Sequence, residues 1–455
     1  MLQRVRAQPQ NGSTYDQYVN PQWSRLLDVL QMNVTYTRCR GAELETSDGR
    51  VILDFLSGYC VHNLGHNHPR LIEALKRELD REGPAMLQSH VSDLAGELGE
   101  ALCVRAGGRL AKVFFASSGS EGIEATIKFA RAHTRRAGIL YAAGAFHGLT
   151  CGALSLMSND FWKDGFGPLL PGTEAVPFGD LDAVERKLAA KTFAAFVLEP
   201  LQAEGGIHVP KPGYLSAVQA LCRRYGTLFI LDEVQTGLYR TGKFLAAHHF
   251  GVEPDMVVLA KALSGGLVPS SAVLMSEPIY QSVYGSLKRA ILHTSTYSEN
   301  SLAMRAGLTT IDILEQEGLG QRATKAGTHL RHALTDRLSK YEMVAQVRGL
   351  GLLNGIEFRP PRSQALRIPF LAFAHVHPAM FGQMLVMRLF RDHDVLSQVC
   401  GNNFMVLKIA PPLVINDRQI DHYVRSVEQV VELMHSSKVF WTEALGIGRR
   451  AMALA

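Results

Sequence analysis

Two apolar runs, each followed by charged side chains, constrain most strongly what this chain can fold into. Residues 228–231 and 256–260 are continuous in large and β-branched residues, a pattern typical of strands buried on both faces of a parallel sheet. Asp232 and Glu233 follow the first run, and Lys261 follows the second. Because ligands of open parallel sheets bind beyond the carboxyl ends of the strands, we expect an acid and a lysine to face one crevice.

A lysine and an aspartate in one crevice suit a particular cofactor chemistry. A lysine can form a Schiff base with a carbonyl cofactor, and an aspartate can keep a pyridinium nitrogen protonated. Pyridoxal phosphate requires this pairing, because its protonated ring accepts electrons from the substrate. From these residues alone, an ordinary α/β sheet whose strands end in solvated charges is an equally good interpretation.

Length and composition limit the classes of protein to consider. At 455 residues the chain exceeds a typical domain, so two or three lobes are expected. The net charge of +5 is small and forms no long basic block, so no nucleic-acid partner is expected. No apolar run approaches membrane-spanning length, and the N-terminus lacks the apolar core of a signal peptide. These features predict a cytoplasmic protein without a membrane partner.

Neither the cysteines nor a histidine cluster indicates a metal site. His62, His66 and His68 lie close together, but no carboxylate or further cysteine completes a ligand set at a recognisable spacing. We therefore predict no bound metal, and imidazoles that cap a loop and the start of a helix at 70–81. The cysteines lack Cys-x-x-Cys spacing, which favours reduced thiols over a zinc or disulfide framework: Cys39, Cys60, Cys103, Cys151, Cys222 and Cys400.

Strand and helix patterns alternate from about residue 90, which predicts a largely parallel sheet with helices on both faces. A long helical run at 301–338 is expected to leave this domain, and the remainder indicates a smaller α+β lobe. We predict an N-terminal segment at 1–75 that contributes to the small domain, a large domain at 76–330 and a small domain at 331–455. The further predicted elements are a hairpin at Asp48-Gly49, helices at 23–32, 93–106 and 420–437, and strands at 112–115, 140–141 and 193–198.

A turn of small residues predicts an anion site. Ser117, Ser118, Gly119 and Ser120 lie between a strand and a helix, where backbone N–H groups and the helix dipole attract negative charge. Phosphate is the natural ligand. The motif is neither GxGxxG nor GxxxxGK[ST], so a dinucleotide or nucleoside triphosphate is disfavoured. Taken alone, a plain helix cap explains this turn at least as well.

Eight motifs, in order along the chain, resemble those of one known family. They are LDFLSGYCVHNLGHNHP, FFASSGSEGIEATIKFAR, GAFHG, LEPLQAEGG, LDEVQTGLYRTGKF, DMVVLAKALSGG, HTSTYSEN and APPLVI. The chain resembles the class III (omega-type) pyridoxal-phosphate aminotransferases of fold type I from about residue 35 to 435. The resemblance implies an α/β fold whose large domain has a mostly parallel sheet flanked by helices, together with a smaller α+β domain.

The resemblance also implies roles for individual residues. Lys261 is expected to hold pyridoxal phosphate as a Schiff base and to move the substrate proton, for which its pKa should be depressed. Asp232 is expected to pair with the pyridinium, and Glu199 to orient groups around it. The other expected cofactor residues are Ser118, Gly119 and Ser120 around the phosphate, Phe146 stacked on the ring, His147 at the edge of the site, Gln235 near the phenolic oxygen, and Thr296, which reaches the phosphate of the neighbouring subunit in a homodimer.

The substrate pocket departs from the family's pattern. Members that handle α-amino acids carry an arginine three positions before the PPL triplet, and this chain has Lys408 there. A lysine is a point charge rather than a planar fork. We therefore expect altered carboxylate recognition and a primary amine or ω-amino donor whose bulk is apolar. Glu204 matches an acid that pairs with that arginine. Tyr59 matches a substrate-contacting tyrosine, although a buried structural aromatic is an equally good interpretation.

An apolar segment at 366–377 is open to three interpretations. It can roof the pocket over a long alkyl chain, contact a partner protein, or form ordinary core.

The reaction that the resemblance implies is transamination by a ping-pong mechanism. An amine donor leaves its nitrogen on the cofactor as pyridoxamine phosphate, and a keto acid or aldehyde then collects it. A racemase, mutase or decarboxylase stays open, because the same lysine and aspartate serve each reaction. A non-enzymatic regulator or scaffold is disfavoured, because Lys261, Asp232 and Glu199 are intact and no appended DNA-binding segment is present.

Overall fold

The computed structural model describes residues 13–87, 89–374, 380–436 and 440–443. Its strands are β1 (Tyr36–Arg40), β2 (Glu43–Thr46), β3 (Val51–Asp54), β4 (Leu110–Ala116), β5 (Gly138–Ala142), β6 (Thr173–Val176), β7 (Phe193–Leu198), β8 (Leu228–Asp232), β9 (Met256–Leu259), β10 (Ser271–Ser276), β11 (Val344–Leu350), β12 (Leu353–Phe358), β13 (Val395–Leu396), β14 (Gln398–Cys400) and β15 (Asn403–Ile409).

The helices are α1 (Thr14–Tyr18), α2 (Pro21–Val29), α3 (Ser57–Cys60), α4 (Pro69–Asp80), α5 (Asp93–Ala106), α6 (Gly119–Thr134), α7 (Cys151–Ser155), α8 (Leu181–Leu188), α9 (Tyr214–Tyr225), α10 (Ala247–Phe250), α11 (Glu277–Tyr284), α12 (Ser301–Gln316), α13 (Leu319–Leu338), α14 (Gln364–Ala374), α15 (Met380–His393) and α16 (Asp417–Ser436). Within the described residues, no helix has the length and apolarity that crossing a membrane requires.

The largest sheet confirms the predicted α/β fold. In the described part of the chain it has seven strands in the order β4-β10-β9-β8-β7-β5-β6. Strand β10 is antiparallel to both of its neighbours, and the other adjacent pairs are parallel. Every residue of β7, β8 and β9 is buried, as expected for strands covered on both faces. Their carboxyl ends therefore lie side by side at one end of the sheet.

Helices cover both faces of this sheet, and alternate strand residues supply the two cores. Ile230 packs with Ile123 of α6 in one core, whereas the next residue, Leu231, belongs to the core that includes Leu98 of α5. This alternation follows from the pleat of a strand, which points successive side chains to opposite faces. The continuous apolar runs in the sequence are therefore required by burial on both sides.

Two smaller sheets complete the described fold. Strands β11, β12, β15 and β14 form an antiparallel sheet in that order. Strands β1, β2 and β3 form a meander, whose turn at Asp48 and Gly49 is the predicted hairpin. Strand β13 pairs in parallel with β3, so the N-terminal and C-terminal parts of the chain share one sheet.

The helical run predicted at 301–338 consists of two helices, α12 and α13, which are separated at Gly318. Gly318 has φ +61, in the left-handed region that glycine adopts without strain. Strands β6 and β10 were missed. The helix predicted at 420–437 is α16, which begins at Asp417, and residue 437 lies outside the described residues.

A close glycine contact joins α13 to the turn between β11 and β12. A Cβ on Gly327 would overlap the carbonyl of Gly351, so the backbones touch. Gly351 itself has φ +56, and a Cβ there would lie 2.6 Å from Thr241 Cα. Thr241 belongs to the loop after β8, so this turn contacts both α13 and the sheet that carries the predicted site.

Gly327→Ala is expected to lower the free energy of unfolding by about 1–3 kcal/mol, because the added methyl group overpacks a backbone contact. Gly96→Ala in α5 is the matched control, since a Cβ at Gly96 meets nothing within 4 Å. Alanine is the better helix former, so this control should gain up to about 1 kcal/mol. Urea unfolding of both variants measures the difference, and equal stabilities would contradict the contact.

Candidate active site

A cavity of about 450 Å³ opens beyond the carboxyl ends of β7, β8 and β9. The parallel strands place it there, in the position where α/β sheets bind ligands. Nine of the predicted site residues line it: Ser118, Gly119, Ser120, Phe146, His147, Glu199, Asp232, Gln235 and Lys261.

Asp232 is the last residue of β8, and its carboxylate is buried. Its Oδ2 lies 2.8 Å from Nδ1 of His147, and its Oδ1 accepts a hydrogen bond of 3.0 Å from the Val234 N–H. A carboxylate acceptor requires His147 to donate from Nδ1. The side chain of His147 is completely buried, so His147 lies deeper than the predicted edge of the site. The pair fixes the orientation of the Asp232 carboxylate.

Lys261 follows β9 after one residue, and its φ is +45. A non-glycine residue in this left-handed region is strained, and such strain concentrates at functional sites. Its side chain is partly accessible from the cavity but otherwise enclosed by protein. Burial lowers the pKa of Lys261, although the Cys60, Glu204 and Asp232 side chains oppose this effect. A lowered pKa increases the fraction of neutral, nucleophilic amine.

Glu199 directly follows β7 and is buried. Its Oε1 accepts a hydrogen bond of 3.2 Å from the Phe146 N–H, and its Oε2 accepts one of 2.9 Å from the Ala203 N–H. Burial raises the pKa of Glu199 to about 7, against the influence of His147 and with a further increase from Asp232. Glu199 thereby fastens the backbone at Phe146 to the end of β7.

The N-terminus of α6 forms the opposite end of the cavity. Ser118 caps the helix by accepting a hydrogen bond of 3.2 Å from the Glu121 N–H. The first N–H groups of a helix have no intrahelical acceptor; the cap uses that of Glu121, and those of Gly119 and Ser120 can bind an anion. A Cβ on Gly119 would lie 3.0 Å from a methyl carbon of Val234, which explains the glycine.

These residues fit pyridoxal phosphate. The α6 terminus suits the phosphate, the Asp232 carboxylate suits a protonated ring nitrogen, and Lys261 suits the carbonyl carbon. Two polar atoms in the cavity lining, Nε2 of His147 and Oγ of Ser270, are buried and have no hydrogen-bond partner among the described residues. Unpaired buried polar atoms are unfavourable, so a ligand in the cavity can satisfy them.

A buried ion pair lies beside the cavity. Lys408 in β15 is fully buried, and its Nζ pairs with Glu204 and lies 3.2 Å from Oε1 of Gln235. Burial by itself lowers the pKa of Lys408, but Glu204 outweighs it and the pKa is raised. Burial likewise raises the pKa of Glu204, but Lys408 holds it below its usual value. Tyr59, 40% exposed, has its ring centroid 5.0 Å from Nζ of Lys408. Lys408 is therefore already occupied by protein groups.

Among the predicted cofactor residues, Thr296 lies apart from this cavity. It is exposed and lines a second cavity of about 450 Å³, together with residues such as Leu87, Ile291 and Tyr284. Within one chain, Thr296 does not meet the other predicted cofactor residues in the first cavity.

The predicted histidine cluster serves other contacts. Nε2 of His66 lies 2.7 Å from Oδ2 of Asp54, the rings of His62 and His66 are 4.0 Å apart, and Nε2 of His68 lies 3.2 Å from Glu317. In the described part of the chain, no group of three or more His, Cys, Asp or Glu side chains is arranged to hold a metal ion.

The segment at 366–377 is described only as far as residue 374, and 375–377 lie outside the described residues. Its described part belongs to α14, where Phe370 packs against Phe381 at a ring distance of 5.6 Å while Ile368 and Leu371 are exposed. None of its described residues lines the first cavity. The described part gives no support to a roof over the pocket.

Sequence reasoning missed several residues around the cavity, of which four bear on the site. Val234 and Ser270 line it, Trp162 places its ring 5.7 Å from that of Phe146, and Asn402 holds the backbone next to Phe146. Val234 lies within the quoted aspartate motif, and Ser270 lies four positions after the end of the quoted lysine motif, so the motifs and the residues near them could have indicated both positions. Trp162 ends a short 3-10 helix and Asn402 lies in the turn between β14 and β15, and contacts between distant parts of the chain place both residues near the cavity.

Comparisons with known proteins agree with this geometry. The family model described as Aminotransferase class-III matches residues 27–431. The chain is 38% identical over 450 residues to the aminotransferase PigE of a Serratia strain, covering 92% of this chain but 53% of that protein. It therefore spans about half the length of this relative. It is 35% identical over 439 residues to a putrescine aminotransferase of Pectobacterium atrosepticum, covering 93% of this chain and 89% of that one.

A solved structure has the same fold. The ornithine aminotransferase of Toxoplasma gondii superimposes with a TM-score of 0.79 at 31% identity, covering 88% of this chain and 91% of that one. That enzyme holds pyridoxal phosphate at its active site with partial occupancy.

Borohydride reduction after loading with pyridoxal phosphate is expected to place about one label per chain on Lys261, because a lysine with a lowered pKa is the reactive nucleophile. Lys408 is the internal control, since its ion pair with Glu204 keeps it protonated. Peptide mass mapping locates the label, and Lys261→Ala should take up none. A label on Lys408, or none in the wild-type chain, would contradict the assignment.

Proposed function

Because the chain belongs to the class III aminotransferases, we propose that it moves an amino group from a primary amine or ω-amino donor to a keto acid or aldehyde with pyridoxal phosphate as cofactor. One observation carries the proposal. Lys261, whose pKa burial lowers, faces the same cavity as the buried Asp232 at the carboxyl ends of adjacent strands.

When bound, pyridoxal phosphate supplies a carbonyl carbon that takes up the amine and a ring that withdraws electrons. Lys261 holds the cofactor through Nζ and then, as a neutral amine, carries the proton removed from the substrate carbon. Asp232, oriented by the hydrogen bond from His147, places negative charge at the ring nitrogen. The second ring nitrogen of His147, Nε2, has no hydrogen-bond partner among the described residues, so the imidazole can bind a further polar group there.

The remaining residues position the cofactor and exclude water. The N-terminus of α6, with Ser118, Gly119 and Ser120, binds the phosphate. Phe146 lines the cavity and would stack on the ring of a bound cofactor, and Glu199 would support this by accepting the hydrogen bond from the Phe146 N–H. Gln235 lies between the cofactor site and the Glu204–Lys408 pair, because it lines the cavity and contacts both members of the pair.

The ion pair between Lys408 and Glu204 supports the proposal that the amine donor lacks an α-carboxylate. Its ammonium contacts the Glu204 carboxylate and the Gln235 amide, so a substrate carboxylate would have to displace groups already paired. Removing one partner from a buried ion pair typically costs about 3–5 kcal/mol. An amine or diamine requires no such exchange. The similarity to a putrescine aminotransferase, named for a diamine, points the same way.

Alkylamines and diamines are expected to have a kcat/KM at least about tenfold above those of glutamate and ornithine, a difference of about 1.4 kcal/mol. The measurement is loss of the cofactor's visible absorbance on mixing with each donor, followed by its return with pyruvate, 2-oxoglutarate or an aldehyde. Lys261→Ala controls for non-enzymatic loss. Glutamate or ornithine as a far better donor would overturn the proposed donor class, and absence of amine transfer from every donor would overturn transamination.

A homodimer with shared sites explains the position of Thr296. Thr296 is exposed, and nearby in the chain Leu287, Ile291, Leu292 and Tyr297 are exposed apolar residues. Large exposed apolar patches mark interaction surfaces. We propose that a second copy covers this surface and that Thr296 reaches the phosphate in its partner's cavity.

Mixed dimers test this arrangement. Lys261→Ala should abolish activity and Thr296→Ala should weaken cofactor binding, so each variant alone is poorly active when pyridoxal phosphate is limiting. A mixed dimer pairs the intact Lys261 of one chain with the intact Thr296 of the other. Co-expression should therefore recover up to about a quarter of wild-type activity, the statistical yield for a two-fold dimer. No recovery would place Thr296 in its own chain's site or outside any site.

A cytoplasmic location is part of the proposal. None of the six cysteines is in a disulfide, which suits a reducing compartment. The substrates are small molecules, and no nucleic-acid or membrane partner is proposed.

A further inference from the structure

We propose that Asn402, at the tip of the hairpin between β14 and β15, is a positioning residue that holds Phe146 and Trp162 in place at the active site. The inference rests on the proposed function, because it concerns how the cofactor-stacking aromatic is held.

The amide of Asn402 makes four hydrogen bonds, two donated and two accepted, all to residues between 144 and 162. Its Nδ2 donates to the carbonyls of Gly144 and Ala145, each at 3.1 Å. Its Oδ1 accepts from Nδ2 of Asn159 at 3.1 Å and from Nε1 of Trp162 at 2.9 Å. An indole N–H can only donate and a carbonyl can only accept, so the orientation of this amide is unambiguous. No aspartate or alanine can make this set of bonds.

The segment that Asn402 binds contains Phe146, which lines the cavity. The Ala145 carbonyl directly precedes Phe146, whose N–H is held from the other side by Glu199 at 3.2 Å. Trp162 meets Phe146 edge to face, with ring centroids 5.7 Å apart and planes at 84°. Asn402 therefore fixes both the backbone of Phe146 and the ring that braces its side chain.

The same hairpin tip is tied to the buried ion pair. The Gly401 N–H donates to Oε2 of Glu204 at 2.8 Å, and the Asn402 N–H donates to the Glu204 carbonyl at 3.0 Å. Oε1 of Glu204 carries the ion pair with Lys408, which lies in β15 of the same hairpin. These bonds attach the hairpin tip to Glu204 independently of the segment that contains Phe146. Because Asn402 is held in this way, its side chain can position Phe146 and Trp162.

Loss of these bonds should free Phe146 and Trp162 without opening the Lys261 end of the cavity. A ring that is no longer held in position stacks less well on the cofactor, so affinity for pyridoxal phosphate falls. The donor KM should rise more than kcat falls, because Phe146 and Trp162 act on how the cofactor is held and take no part in proton transfer.

The test compares Asn402→Ala and Asn402→Asp in the full chain with the matched control Asn403→Ala. Asn403 lies on the same hairpin but makes a local bond, accepting from the Met405 N–H at 3.2 Å. Equilibrium binding of pyridoxal phosphate to the cofactor-free protein should show a Kd raised about tenfold by both Asn402 variants and unchanged by Asn403→Ala, a difference of about 1.4 kcal/mol.

Asn402→Asp separates positioning from simple packing. It keeps the volume and the acceptor oxygen but loses the donors to Gly144 and Ala145, so a positioning role predicts binding as weak as in Asn402→Ala. Wild-type affinity in Asn402→Asp, or a lowered unfolding midpoint with an unchanged Kd in Asn402→Ala, would overturn the inference. Failure of the proposed function looks different: the wild-type chain would transfer no amino group from any donor while the Kd differences persisted.

Discussion

The parallel, doubly buried packing of β7, β8 and β9 is the constraint on which the site depends. Pairing aligns Leu198 with Leu231, and Asp232 with Val258. Glu199 and Asp232 therefore lie at the same level at the ends of neighbouring strands, and Lys261 follows Val258 of the next strand by three positions. No local interaction between these polar residues is needed to bring them together, because burial of the apolar runs already does so. The chemistry is thus a consequence of hydrophobic packing.

Two buried lysines show how the surroundings of a charge decide its use. Lys408 sits against Glu204 and Gln235, and its pKa is raised, so it acts as a permanent cation. Lys261 has no ion pair at contact distance among the described residues, and burial lowers its pKa. Lys408 is thereby suited to a structural role beside the cavity, and Lys261 is suited to react with a carbonyl group.

Sequence alone predicted the α/β sheet and its buried strands, which depend on local periodicity, and nine of the residues that line the cavity, which lie in motifs that resemble those of a known family. The roles assigned to the site residues and the domain boundaries at 75 and 330 stay predictions. Strand β10 was missed because it is antiparallel and follows a loop rather than a helix. Asn402 and Trp162 were missed because they meet Phe146 across more than two hundred and about fifteen positions of the chain, respectively. Contacts of this kind carry no periodic signal.

Arg240 gives the architecture a further property. Its buried guanidinium donates to the Leu352 carbonyl at 3.1 Å, to the Pro411 carbonyl, and to side-chain oxygens of Ser57 and Asn63. Three distant stretches of polypeptide thus supply acceptors to its two terminal nitrogens, whereas its Nε has no hydrogen-bond partner among the described residues. A fragment that keeps Arg240 but lacks one of these stretches would leave part of the guanidinium without hydrogen-bond acceptors in apolar surroundings. Shuffling segments between relatives should therefore succeed only when all three stretches are inherited together.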